Sequence, residues 1–387
     1  MKKKILTLTL AILLLIMPFT CSNQIITVNA SEKIVDSTCK AYVLMDKDSG
    51  KVLNENNCDV RMPVASIVKL MTILLTLEKI DCGEISVTDK VNVSENASGM
   101  GGSQIFLDAN CEYEVGNLLK SVIVCSANDS SVALAEYIAG NEQLFVKEMN
   151  EKAKELNMTN TNYENATGLP STNQYSSALD VAKVLREVLD YDLYQEFSKV
   201  WLEDFVHPSG RTTEMTNTNK LSRFYEGCLG GKTGSTNEAK YCLGVGAKRN
   251  NMSLIAVALG CENSKERFST CSEMLNYGFR HYENKVVFSQ ENLNDVAVKM
   301  QGQKEMLTLV CERESNIVIE KGKNLKVDLK YNLPTSLLSV KQNECVGSVD
   351  IIINGEKYDS VNLLSSKDIK EPSYLDYLKR IEEDFIG

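Results

Sequence analysis

Pro63-Val64-Ala65-Ser66-Ile67-Val68-Lys69-Leu70-Met71-Thr72-Ile73-Leu74-Leu75-Thr76-Leu77-Glu78-Lys79-Ile80 is the stretch that organises the rest of the chain. A proline suited to a first helical turn opens an apolar run, and Gly83 stands where such a helix stops, which predicts a helix from Val64 to Ile80. Ser66 and Lys69 lie three residues apart in its first turns and so share a face. A serine hydroxyl is a weak nucleophile unless a base stands beside it. A lysine serves as that base when burial and nearby positive charge pull its pKa down from about 10.4. Lowering it by about three pH units corresponds to roughly 4 kcal/mol against the ammonium. Ile67 to Leu77 supply apolar surroundings for that burial. The S-x-x-K pattern is weak on its own. Ser37-Thr38-Cys39-Lys40 repeats it with no helix start to hold it.

Two further short sequences give the pattern weight. Ser126-Ala127-Asn128 falls at the break between two helical stretches within Val115 to Ala139. Its hydroxyl can relay a proton to a leaving amine, and its amide can hold a substrate carbonyl and the lysine. S-x-N is common, also starting at Ser94, Ser171 and Ser235, and a serine at a helix start is more often a cap. Lys232-Thr233-Gly234 is the only K-T-G in the chain and sits on a predicted strand. A strand edge can pair with an extended peptide. Lys232 and Thr233 then offer charge and a hydroxyl to a carboxylate, and Gly234 leaves room for close approach of substrate.

Outward from these motifs, Ala41 to Met45 reads as a strand closed by the turn at Asp46-Lys47-Asp48-Ser49-Gly50. Phe145 to Leu156 and Ala178 to Leu189 read as helices, and the K-T-G run with Tyr241 to Lys248 and Ser253 to Leu259 as adjacent antiparallel strands. Strands at both ends with helices between predict an α+β domain, one sheet covered by helices. From about Val286 to Ser366 short alternating segments replace helical periodicity, which predicts a smaller all-β module. Pro372 to Gly387 places Tyr374, Leu378, Ile381 and Phe385 at helical spacing. This tail is a candidate for peripheral membrane contact, although four acids against two bases is the wrong sign for an anionic surface.

The 387 residues carry a formal net charge of -10, which argues against a nucleic-acid partner. Lys2, Lys3 and Lys4 precede an apolar run from Ile5 to Thr20 and a cleavage-type Val28-Asn29-Ala30. This predicts a signal peptide over residues 1–30 and an exported protein on the extracytoplasmic face of the membrane or in the wall. An uncleaved anchor, or a lipoprotein route through Cys21, fits the pattern less well. The expected division is then 31–283 for the catalytic domain, 284–367 for the β domain and 368–387 for the tail. Of twelve cysteines, eleven follow residue 30, an odd set without tight spacing, which reads as scattered thiols rather than a disulfide framework. With only His207 and His281 present, a zinc site or a Ser-His-Asp triad is unsupported.

The three motifs in this order are the signature shared by penicillin-binding proteins and class A β-lactamases. The chain resembles the low-molecular-mass D-alanyl-D-alanine carboxypeptidases, also through Gly102-Ser103-Gln104-Ile105-Phe106-Leu107, Ala133 to Gly140, Asn165-Ala166-Thr167-Gly168-Leu169-Pro170, Asn217 to Leu221 and Asn276 to Phe279. The resemblance implies a β-lactamase/transpeptidase-like fold and removal of the terminal D-alanine from peptidoglycan stem peptides through an acyl-enzyme, without a metal or cofactor. It implies acylation by β-lactam antibiotics at the same serine. It maps the nucleophile to Ser66, the base to Lys69, the second-loop pair to Ser126 and Asn128, and the strand triad to Lys232, Thr233 and Gly234. The oxyanion hole maps to the backbone N–H groups of Ser66 and Ser235. Ala127 stands where the family often has glycine, and Cys125 beside Ser126 suggests sensitivity to oxidation. A class A β-lactamase would add a deacylating glutamate. Glu164 lies in the corresponding region without the E-x-x-L-N pattern of that family. A peptidoglycan-binding protein without catalysis is the remaining alternative.

Overall fold

Strand β1, Ala41–Asp46, is buried at all six positions, the mark of a strand covered on both faces. The computed structural model describes residues 35–301 and 306–386; the expected signal peptide lies outside them. β1 pairs on one side with β2 (Val52–Asn56) and on the other with the last of three late strands, β3 (Cys228–Thr236), β4 (Lys240–Arg249) and β5 (Met252–Cys261). The order is β2-β1-β5-β4-β3, antiparallel throughout. The K-T-G strand β3 is therefore an edge.

Helices α1 (Lys69–Asp81), α2 (Val115–Val124), α3 (Asn128–Ala139) and α4 (Ala178–Val188) share a core with one face of this sheet, against Val43, Met45, Ile255 and Val257. Helix α5 (Ser264–His281) covers the other face, where Cys271, Met274 and Leu275 meet Leu44, Leu254 and Ala256. This is the helix-covered antiparallel sheet expected from the sequence. The break between α2 and α3 falls at Cys125–Ala127, as the helical pattern indicated.

The helix expected over Val64 to Ile80 differs at its start. Ala65–Val68 form a 3-10 turn and the α-helix begins only at Lys69. Ala65 has φ +51°, a left-handed conformation that interrupts a continuous helix from Pro63. The cysteines also depart from expectation. Cys39 and Cys261 form a disulfide across 222 residues of sequence. The β1–β5 register pairs Ala41 with Leu259, so two residues further along each strand the two cysteines come opposite one another. Nine other described cysteines are free.

Helix α5 runs directly into the strand Tyr282–Phe288, which pairs with Ser315–Glu320. The expected division after residue 283 falls inside this strand, because no linker separates helix from strand. A six-stranded sheet follows, ordered Val327–Asn332, Cys345–Ile353, Glu356–Ser365, Met306–Cys311, Ala297–Met300 and Ser336–Leu337. Val349, Ile351, Val361 and Leu363 are fully buried in its core. Val318 instead joins the core under α5, and Lys51 Nζ donates to its carbonyl at 3.2 Å, fastening the β domain to the catalytic sheet. The tail forms the helix Tyr374–Ile386, with Tyr374, Leu375 and Ile381 more than half exposed.

Candidate active site

Ser66 sits in the 3-10 turn, and Lys69 begins α1 fully buried. Ser66 Oγ lies 3.1 Å from Lys69 Nζ, which also donates to the carbonyl of Thr167 at 2.5 Å. That carbonyl belongs to a loop folded around Asn165, whose Oδ1 accepts from the backbone N–H of Thr167 and Gly168 and from the Thr167 hydroxyl. Thr72 of α1 donates to the Ala166 carbonyl at 2.8 Å, so the loop lies along the helix. Gly168 has φ +82°, and a Cβ there would stand 2.1 Å from the Ala65 carbonyl oxygen. Only glycine permits this loop to press on the turn that carries Ser66.

The second motif meets the third. Lys232, 1% exposed, donates from Nζ to Ser126 Oγ at 2.7 Å. Ser126 has φ +64° and does not cap α3, whose N-cap is Ala127. Gly234 brings the third motif to the first: a Cβ there would lie 2.5 Å from the Val64 carbonyl oxygen and 3.1 Å from the Ile67 nitrogen. The room Gly234 was expected to leave for substrate is thus taken by the Ser66 turn, because β3 and that turn pack backbone to backbone. Thr233 is buried on β3, and the exposed Ser235 pairs across the sheet with Tyr241.

The hold of Asn128 on the lysine is not made. Its Nδ2 donates to the Gly101 carbonyl at 2.7 Å, because Gly102, at φ +83°, folds the preceding loop onto it. Its Oδ1 is buried without a partner among the described residues, an acceptor left open beside the site. Buried Asp129 anchors the same loop by accepting from the backbone N–H of Ile105 and Leu107, both at 3.1 Å.

Burial and then the neighbouring charge of Lys232 hold the Lys69 pKa well below its ordinary value. Burial is also the first cause that lowers Lys232, to about 7, with Arg267 adding to it. Sequence reading missed Arg267. Its Nη1 donates to the carbonyls of Gly234 and Cys242 at 3.0 and 3.2 Å, placing a third cation behind the edge strand.

The profile of the D-alanyl-D-alanine carboxypeptidase family matches residues 27–263, and that of the penicillin-binding protein 5 C-terminal domain matches residues 282–371. The chain belongs to the D-alanyl-D-alanine carboxypeptidase family. It is 37% identical to D-alanyl-D-alanine carboxypeptidase DacF of Bacillus subtilis over 89% of this chain and 90% of that one. It is 31% identical to DacC of Escherichia coli over 90% and 89% of the two chains. The structure of penicillin binding protein 5 from Haemophilus influenzae superposes with a TM-score of 0.71 at 31% identity, over 87% of this chain and 99% of that one.

Other nucleophile candidates in this carboxypeptidase are engaged elsewhere. Ser37 Oγ contacts Thr270 Oγ1 at 2.8 Å, near the disulfide, and Lys40 is exposed. His207 is held between the Tyr113 hydroxyl and Thr213 Oγ1. Cys125 is a free thiol whose surroundings disfavour the thiolate. Burial raises its pKa to about 12, whereas oxidation proceeds through the thiolate.

The Gly168 contact yields a test. Gly168→Ala combines a left-handed backbone with overpacking, and lowers the unfolding free energy by about 2 to 4 kcal/mol. In denaturant melts the midpoint shifts accordingly, and the folded variant reacts more slowly with penicillin as the Ser66 turn is displaced. An unchanged midpoint would mean that the loop does not press on the turn.

Proposed function

We propose that Ser66 is the acylated nucleophile and Lys69 its general base. The observation that carries this reading is the hydroxyl placed 3.1 Å from a fully buried amine whose ammonium is destabilised. Ser66 Oγ bonds to the carbonyl carbon between two D-alanines and its proton passes to Lys69. The tetrahedral oxyanion is met by the backbone N–H groups of Ser66 and Ser235. The C–N bond then breaks, and the leaving D-alanine takes a proton through Ser126. Water hydrolyses the ester. Asn128 Oδ1 accepts from the peptide's N–H. Lys232 and Thr233, with Arg267 behind the strand, attract the substrate carboxylate. Gly234 acts by admitting β3 to the Ser66 turn.

Glu164 speaks against the β-lactamase alternative. Its carboxylate accepts from the Ser171 hydroxyl and from the Asn173 N–H, and so is engaged within its own loop. We place the mature enzyme outside the cytoplasm, with the expected limits for its parts except that the catalytic and β domains divide between His281 and Tyr282 rather than after residue 283.

A fluorescent penicillin labels the wild type and Ser37→Ala but not Ser66→Ala, while a peptide ending in D-alanyl-D-alanine releases D-alanine and nitrocefin is turned over slowly. Loss of label in Ser37→Ala, with retention in Ser66→Ala, ends the assignment.

The pH dependence follows from the two lysines. Acylation rises as Lys69 loses its proton, with a midpoint well below 10.5, its ordinary value. Lys232→Gln removes the neighbouring cation, so the Lys69 ammonium is less penalised and its pKa rises. The ascending limb of the penicillin acylation rate therefore moves to higher pH. A limb that stays in place or moves to lower pH rules out this coupling.

The tail helix exposes Tyr374, Tyr377, Leu378 and Ile381, and we propose that it lies on a lipid surface through these residues. The full chain is then recovered with neutral phosphatidylcholine vesicles in a flotation assay, and a chain ending at Glu371 is not. Equal recovery of the two refutes it.

A further inference from the structure

We propose that Glu238, at the lip of the site, selects peptides whose acyl half carries a side-chain ammonium. The proposal rests on the carboxypeptidase reading above, which fixes the direction of the substrate along β3. With the carboxylate at Lys232 and Thr233 and the oxyanion at Ser235, the acyl half continues toward Thr236 and the turn beyond it. Strand residues advance about 3.3 Å each, so the D-alanine next to the scissile bond lies beside Thr236, and the second residue from that bond reaches the β3–β4 turn.

A cavity of about 70 Å³ opens there, lined by Val64, Ala65, Leu169, Pro170, Thr236 and Glu238 among others. One wall is the residue before Ser66, and the opposite wall is the turn itself. It has room for several water molecules, and so for the end of a flexible side chain. Glu238 is its only ionisable lining residue.

The other polar side chains around this cavity are committed. Gln174 accepts from the N–H groups of Glu164 and Asn165 and donates to the Leu169 carbonyl. Ser171 donates to Glu164, and Thr236 Oγ1 accepts from the Ala239 N–H at 3.0 Å. Glu238 is exposed and makes no hydrogen bond or ion pair with another described residue. A free carboxylate beside a small, otherwise satisfied cavity favours a cationic group at the end of a flexible chain over a neutral one. The pair forms at the protein surface, so its effect is modest and screened by salt.

The test compares Nα-acetyl-L-lysyl-D-alanyl-D-alanine, with its free ε-amine, against the Nε-acetylated peptide, on the full chain at low ionic strength. Wild type favours the free amine in kcat/KM by about two- to fivefold. Glu238→Gln brings the ratio near one, and Glu238→Lys inverts it. Because each variant is read as a ratio between two substrates, a general loss of activity does not imitate the result. Equal efficiency on both peptides in wild type, or a preference unmoved by Glu238→Gln, overturns the proposal alone. Release of D-alanine from neither peptide overturns the carboxypeptidase reading and this proposal with it.

Discussion

The burial of two lysines within reach of each other's charge is the constraint on which the rest of this active site depends. Lys69 and Lys232 are both removed from water, and among the described residues neither has a carboxylate bonded to it. Holding Lys232 down at about 7 is equivalent to roughly 5 kcal/mol against its ammonium. The direction matters for stability as well as for chemistry. A lysine whose folded pKa is depressed opposes folding most strongly below that folded value, and the opposition is relieved as pH rises toward the ordinary value. For Lys232 that window runs from about 7 up to 10.5. The fold must absorb this cost at neutral pH, which it does through a large core on both faces of one sheet.

The glycines around the site show how that burial is kept dry and aligned. Gly168 lets a loop close on Ala65 and deliver the Thr167 carbonyl to Lys69. Gly234 lets the edge strand reach the same turn from the other side. Each contact is backbone to backbone, so no side-chain rotamer has to be held to maintain it. The amine is then fixed by a carbonyl, which accepts a hydrogen bond without neutralising charge as a carboxylate would. A salt bridge at this point would raise the Lys69 pKa and remove the proposed base.

Much of this was legible from the sequence, because the three motifs combine reactive residue types with spacing that a helix start, a helix break and an isolated strand impose. Ser66 and Lys69 could be paired from a local interval, and the neighbours Tyr241 to Lys248 and Ser253 to Leu259 placed K-T-G in a sheet. The left-handed Ala65 was not legible, since alanine is a helix former and its conformation is forced by a loop about a hundred residues away. Gly234 was assigned to substrate because nothing in the sequence shows what packs on a strand. Arg267 reads as one more charged residue on an amphipathic helix until its contacts to Gly234 and Cys242 are seen. The disulfide was hidden for a similar reason: Cys39 and Cys261 become neighbours only once the β1–β5 register is known.

The overall charge of the chain and the field at its site have opposite signs, and the difference is informative. With a net charge of -10 the protein as a whole repels anions at long range. Yet Lys69, Lys232 and Arg267 all stand close to β3 and are at most 9% exposed. Screening by salt weakens the long-range repulsion within about 10 Å, while charges in a low-dielectric interior keep their effect at contact distance. The two anions of the proposed reaction, a terminal carboxylate and a developing oxyanion, both arise along this strand. In the proposed reaction Lys232 and Arg267 then serve binding and catalysis together, and the charge of Lys232 adds to burial in favouring the neutral amine of Lys69.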